Sequence, residues 1–101
     1  MVIALGIEAP RVLTVTLTAA SGLGVSLATV TDAELRVRKP GSDVTWALNI
    51  DAQSASSITL SYGFAAGGAD CDVTGDYYAR AWLTVPSGLI ESEVMQFTVE
   101  Q

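Results

Sequence analysis

The sequence predicts an all-β protein that folds as a two-sheet antiparallel sandwich of about seven strands. Apolar and polar residues alternate with period two in short runs, which is the pattern of strands that bury one face. Glycine, proline, serine and aspartate separate the runs, and this number of runs in 101 residues is typical of a sandwich. Half of the residues are hydrophobic, which is enough to build one core in a chain of this length.

The predicted strands follow one another with short connections. In residues 12–18, Leu13, Val15 and Leu17 share one face, and each later run repeats this alternation. The later runs are a short strand near 25–27, a hairpin of 32–38 and 43–50, strands over 57–64 and 76–85, and a last strand over 94–99. Residues 52–57 are expected to form a surface loop.

The first ten residues precede the single domain that the sequence predicts over residues 11–101. They lack a basic flank and are interrupted by Glu8 and Pro10, so they predict neither a signal peptide nor a membrane anchor. They form either the first strand of the sheet or an arm that adds to the edge of a neighbouring subunit. The candidate contact residues of this segment are Met1, Val2, Ile3, Leu5 and Ile7.

The charge of the chain bears on its partners. A net charge of −6 repels phosphate backbones and anionic lipid headgroups, so neither nucleic acid nor a membrane is expected as a partner. Arg36, Arg38 and Lys39 form a small basic run without aromatic residues, and a solvated strand end explains it.

Residues for common catalytic chemistry are missing. The absence of histidine excludes Ser-His-Asp and Cys-His catalysis within the chain, so we expect neither an enzyme nor a cofactor. Asp70, Asp72 and Asp76 could offer oxygen ligands to Ca²⁺, but their spacing matches no EF-hand and Asp72 is expected to fix a turn instead. Cys71 is the sole cysteine, which rules out an intrachain disulfide.

Two features resemble the immunoglobulin-like family of sandwiches. Residues 72–79, Asp-Val-Thr-Gly-Asp-Tyr-Tyr-Ala, are similar to the tyrosine corner, in which a tyrosine near the start of strand F bonds to upstream backbone. Tyr77 takes that place, Ala79 stands where antibody domains carry their second cysteine, and Trp46 resembles the strand C tryptophan. The resemblance implies an immunoglobulin-like sandwich without its disulfide.

A wider pattern over about residues 11–100 resembles the small immunoglobulin-like domains of bacteriophage virions, above all in tail and baseplate proteins. Four segments carry it, namely residues 35–41, 44–46, 72–77 and 97–99. It implies a virion structural protein, made in the host cytoplasm, that associates with other virion proteins in multiple symmetric copies. We expect a free-standing protein rather than a domain fused into a longer baseplate protein, so both capsid decoration and a tail accessory stay open.

One predicted strand face suits a protein contact. If Tyr77 faces the core, alternation turns Tyr78, Arg80 and Trp82 outward, and these residue types are enriched at interface hot spots. Small, uncharged residues of the 43–50 and 94–98 segments are expected beside them. The alternatives are a carbohydrate-binding or adhesion module that stacks the two aromatic rings on sugars, inverted faces, or a Trp82 covered by the chain's own loop or N-terminal segment.

Overall fold

The computed structural model describes residues 1–22 and 24–101, and within them the chain forms eight strands. These are β1 (Val2–Ala4), β2 (Val12–Thr18), β3 (Asp32–Lys39), β4 (Ser42–Gln53), β5 (Ser57–Gly63), β6 (Gly75–Val85), β7 (Gly88–Glu91) and β8 (Met95–Glu100). The predicted alternation holds along them, since inward residues are buried and their neighbours mostly exposed. In the described residues, no helix has the length and apolar character needed to cross a bilayer.

The strands form two sheets that share β4. One sheet has the order β1-β8-β6-β3-β4, with β1 parallel to β8 and the other pairs antiparallel, and β7 pairs with the end of β6. The other has the order β4-β5-β2. The first half of β4, up to Leu48, pairs with β3. Its second half pairs with β5 from Asn49 onward, across a bulge between Ile50 and Ala52.

This topology confirms the predicted immunoglobulin-like sandwich. β2 and β5 correspond to strands B and E of one sheet, and β3, β6 and β8 correspond to strands C, F and G of the other. Trp46 lies on β4, one strand beyond strand C, so its assignment to strand C is wrong. Its ring stacks on Tyr62, with centroids 4.8 Å apart, and contacts the edge of Phe64. The core between the sheets therefore has an aromatic cluster in place of a disulfide.

Three sequence predictions of local structure are corrected. Residues 25–27 form no strand, since Leu27–Thr29 is a 3-10 helix capped by Ser26, and this helix buries Leu27. β4 continues to Gln53, although a loop was predicted from residue 52. The prediction was wrong because the bulge breaks the alternation by which a strand is identified. The last predicted strand, over 94–99, is β8, and the short strand β7 that precedes it was not predicted.

The N-terminal segment is the first strand of the larger sheet. Ile3 pairs with Val99 of β8 and is 7% exposed, so this residue belongs to the core and its assignment to a contact surface is wrong. Leu5 and Ile7 are half-buried against the core, whereas Met1 and Val2 are exposed. The strand alternative thus describes this segment, since alternation directs every second apolar residue inward.

Candidate functional site

The outward side of β3 and β6 is the candidate site, called here the β3–β6 face. It consists of Glu34, Arg36, Arg38, Tyr78, Arg80 and Trp82. Tyr77 is fully buried and Tyr78 is 44% exposed, so the predicted direction of the faces is correct. Arg80 is exposed and Trp82 is half-buried.

The neighbours of the predicted residues differ from the expectation. Arg38 pairs with Tyr78, Arg36 with Arg80, and Glu34 with Trp82, because β3 is the strand that lies beside β6. The expected neighbours on β4 lie one strand further away. On the other side Gln96 pairs with Tyr78, as expected. One flank of the face is therefore charged rather than uncharged.

Arg36 and Trp82 stack on each other across the two strands of the face. The Cζ atom of Arg36 lies 4.2 Å from the centroid of the Trp82 ring, which is a cation–π geometry. The Arg36 guanidinium also donates to Oε1 of Glu34 through Nε at 3.1 Å and Nη2 at 2.9 Å. Trp82 is thus covered in part by Arg36 of β3.

The other two arginines of the face each lie beside a carboxylate. Nη1 of Arg80 is 3.2 Å from Oε2 of Glu91, and Nε of Arg38 is 3.5 Å from Oδ1 of Asp43. Such exposed pairs contribute little to stability and are weakened by salt. Three of the five basic residues of the chain thus gather on one face, each with a carboxylate within reach.

The face contains a shallow depression of about 630 Å³. Its lining comes from β3, β4 and β6, together with Val94, which precedes β8. The lining combines aromatic rings, guanidinium groups and aliphatic carbons, including Arg36, Arg80, Tyr78, Trp82, Thr45 and Val94. This combination can bury apolar surface and also bind carboxylates or main-chain carbonyl groups, as protein interfaces do.

The loop before β6 holds the tyrosine corner that the sequence predicts. The hydroxyl of Tyr77 donates to the carbonyl oxygen of Val73 at 2.8 Å. Nζ of Lys39 donates to Oδ1 of Asp72 at 2.8 Å, and the Lys39 side chain is only 9% exposed. These bonds fasten the β3–β4 hairpin to the loop and fix where β6 begins.

The three aspartates considered as cation ligands each serve a structural contact. Asp70 accepts hydrogen bonds from the Tyr62 hydroxyl at 3.0 Å and the Ala65 N–H at 2.8 Å. Asp76 accepts from Oγ1 of Thr98 at 3.0 Å. In residues 1–22 and 24–101, no group of three acidic or cysteine side chains is arranged to hold a metal ion.

Burial alters several pKa values near this loop. Burial raises the pKa of the Cys71 thiol to about 11, and it raises the pKa of Tyr62 to about 12 with help from Asp70. The hydrogen bond between Lys39 and Asp72 raises the pKa of Lys39 and lowers that of Asp72. Cys71 is therefore protonated at neutral pH, and a thiol is a poor nucleophile.

Sequence reasoning missed Glu34 as a site residue, and it interpreted Arg36 and Arg38 only as part of a solvated strand end. Placing 32–38 as strand C, next to strand F, would have brought these residues to the face. The tyrosine corner could have indicated this placement, because it marks strand F, and strand F pairs with strand C in immunoglobulin-like sandwiches. Assigning Trp46 to strand C removed that signal.

Comparison with known proteins gives a distant structural similarity. No family model matches the chain, and no curated protein matches it. A solved structure of murine CRIg is similar to it with a TM-score of 0.46 and 10% identity, over 100% of this chain and 92% of that one.

Proposed function

We propose that this chain is a structural protein of a bacteriophage virion, and that it acts by binding another virion protein through its β3–β6 face. The Arg36–Trp82 stack carries the proposal, because it presents an aromatic ring and a guanidinium in a fixed arrangement. Ordered Trp, Tyr and Arg side chains lose little entropy on binding and are common interface hot spots. The resemblance to phage domains supplies the choice of a virion partner.

The depression of the face supports a protein partner. It offers aliphatic and aromatic surface, and the carboxylates of Glu34, Asp43 and Glu91 lie near its arginines. A partner that supplies its own carboxylates can bind these arginines, while the carboxylates of this chain that it displaces return to water. The association should therefore weaken as salt increases.

Carbohydrate binding has less support. Sugar rings stack on an open aromatic face, and the guanidinium of Arg36 already covers one face of Trp82. Tyr78 alone offers an exposed ring, at 44% exposure. This alternative would be favoured if the wild-type chain bound a saccharide in a glycan screen and the Tyr78→Ala variant did not bind it.

Particle composition tests the proposed function. Particles are purified from cells that carry the complete phage genome with the gene for this chain, and mass spectrometry quantifies the chain in them. We expect the chain in the particle, with at least a tenfold loss of incorporation in Trp82→Ala. Asp51→Ala, exposed on the β4 bulge outside the face, is the control and should incorporate normally.

Two results would contradict the proposal. One is that the chain is absent from particles although the cells that produced them contain it. The other is that Trp82→Ala and Tyr78→Ala are both incorporated normally. Circular dichroism must show that each variant is folded. If Trp82→Ala unfolds, the test rests on Tyr78→Ala, because Tyr78 is more exposed and its removal should leave the fold intact.

A further inference from the structure

The outer side of β2 is an unpaired sheet edge. All seven residues of β2 pair with β5 in one unbroken antiparallel register, from Val12 opposite Gly63 to Thr18 opposite Ser57. No strand of residues 1–22 or 24–101 pairs with the opposite side of β2. β1, which could have covered this edge, pairs with β8 in the other sheet.

Hydrogen bonds at the ends of this ladder show which backbone groups point outward. The N–H of Ala19 donates to the carbonyl of Ser56 at 2.8 Å, and the N–H of Phe64 donates to that of Arg11 at 3.1 Å. Both bonds continue the β2–β5 register. Because hydrogen-bonded pairs alternate in an antiparallel ladder, the odd-numbered residues of β2 bond to β5. The outward N–H and C=O groups belong to Val12, Thr14, Thr16 and Thr18.

The usual protections of an edge strand are missing from β2. Such strands commonly carry a charge, a proline or a bulge that prevents pairing with another chain. β2 contains no charged residue, no proline and no bulge. Val12 is 56% exposed, while Val15 and Leu17 are half-buried at the edge of the core. In a chain of net charge −6, an uncharged edge lets two copies approach without direct repulsion.

The sequence of β2 is symmetric about Val15. Leu13-Thr14-Val15-Thr16-Leu17 reads the same in both directions. In an antiparallel pair of such strands, Leu13 lies opposite Leu17, Thr14 opposite Thr16, and Val15 opposite its own copy. Apolar residues then meet on the core side and hydroxyl groups meet on the outer side. An interface around a two-fold axis needs this self-complementarity.

The backbone directions agree with the same register. With the axis at Val15, Val15 occupies a non-hydrogen-bonded position, since its own N–H and C=O bond to β5. Thr14 and Thr16 of opposite copies then occupy a hydrogen-bonded position, and both have outward N–H and C=O groups. A shift by one residue would place outward groups opposite inward ones and lose these bonds.

We propose that two copies of this chain associate by antiparallel pairing of their β2 strands about a two-fold axis at Val15. The two β4-β5-β2 sheets become one continuous sheet, and the half-buried Val15 and Leu17 gain cover. This inference does not depend on the proposed function, because it uses neither the β3–β6 face nor a virion partner.

Sedimentation equilibrium of the 101-residue chain tests the pairing with variants that carry charges at facing positions of β2. We expect a dimer for the wild type and at least tenfold weaker dimerisation for Thr14→Lys/Thr16→Lys, in which like charges face each other. Thr14→Lys/Thr16→Glu should dimerise, because the register places opposite charges together. Thr59→Lys, one strand inward on β5, and Trp82→Ala, on the β3–β6 face, are controls that should keep the dimer.

Cross-linking tests the register itself. Non-hydrogen-bonded pairs have Cα atoms about 4.5 Å apart, which a disulfide can span. Val15→Cys should therefore form a covalent dimer on mild oxidation, and Thr16→Cys, which lies opposite Thr14, should not. The native Cys71 is buried and does not compete. A wild type that is monomeric at every concentration, or a dimer that Thr14→Lys/Thr16→Lys leaves intact, would overturn the proposal.

Discussion

The guanidinium of Arg36 on β3 lies over the indole of Trp82 on β6, with Cζ 4.2 Å from the ring centroid. Two hydrogen bonds to Oε1 of Glu34 hold the same guanidinium in place. The three residues share two neighbouring strands, so the sheet fixes their relative positions. The β3–β6 face is thus ordered without a partner, which reduces the entropy lost on binding.

Removing this stack should expose Trp82 with little effect on the fold. Arg36→Ala is expected to cost about 0.5–1 kcal/mol, which is typical of a cation–π contact at an exposed site. Acrylamide quenching of tryptophan fluorescence should increase, and Trp82 accounts for the change because Trp46 is buried. Arg38→Ala is the control, since Arg38 contacts only the exposed Asp43 at 3.5 Å among the salt bridges of the face. Equal quenching in wild type and Arg36→Ala would contradict the stacking.

The tyrosine corner should contribute to stability through its hydroxyl. Tyr77→Phe keeps the buried ring and leaves the Val73 carbonyl without its donor, so we expect a loss of about 1 kcal/mol in the free energy of unfolding. Urea unfolding measures it. Tyr78→Phe, next in sequence but exposed, should change the midpoint little. A Tyr77→Phe midpoint equal to that of the wild type would show that the bond contributes nothing.

Alanine substitutions at two neighbouring glycines distinguish the cost of backbone strain from the cost of a steric clash. Gly67 and Gly68 have φ of +92° and +72°, so alanine at either position is disfavoured by about 1–2 kcal/mol. A Cβ on Gly68 would also lie 2.7 Å from the carbonyl oxygen of Gly6, whereas a Cβ on Gly67 meets nothing within 4 Å. Gly68→Ala should therefore lower the urea midpoint clearly more than Gly67→Ala. Equal losses would contradict the close approach of the N-terminal segment to this loop.

The Lys39–Asp72 pair should stabilise the fold over a defined pH range. The pKa of Asp72 is lowered by the Lys39 hydrogen bond, so its stabilisation is present above about pH 3.9 and is lost as pH falls through the folded pKa. The pKa of Lys39 is raised by the same bond, so its stabilisation is present below about pH 10.4 and is lost as pH rises through the folded pKa.

Urea midpoints of the wild type and Asp72→Asn, measured across pH, test this range. The wild type should be more stable at neutral pH, and the difference should disappear in strong acid and at high pH. Asp43→Asn, at the looser and more exposed pair with Arg38, should show a smaller difference. A difference between wild type and Asp72→Asn that persists in strong acid would contradict the assignment.

Alternation predicted the faces of the strands but not their lateral order. If Tyr77 faces inward, as a tyrosine corner requires, the period of two turns Tyr78 outward, because successive side chains point to opposite faces. Which strand lies beside β6 depends on pairing between distant segments, and period two carries no information on it. The charged neighbours Arg36 and Arg38 were therefore missed, although their own strand was predicted correctly.

Deviations from regular alternation limited the prediction of strand ends. After Ile50 the bulge places Asp51 and Ala52 out of the pattern, so the sequence resembled a loop where β4 crosses to the second sheet. Near residue 27 the apolar side chain is buried by a 3-10 turn rather than by a strand, and short apolar runs do not distinguish the two.

Site-specific photo-cross-linking in the assembled particle tests most directly whether the β3–β6 face binds a virion protein. A benzophenone amino acid replaces Tyr78 in one variant and Asp51 in a control, and particles are irradiated after purification. We expect cross-links from position 78 to one virion protein, and few from position 51. Equal cross-linking from both positions, or none from position 78 in particles that contain the chain, would contradict the assignment of this face.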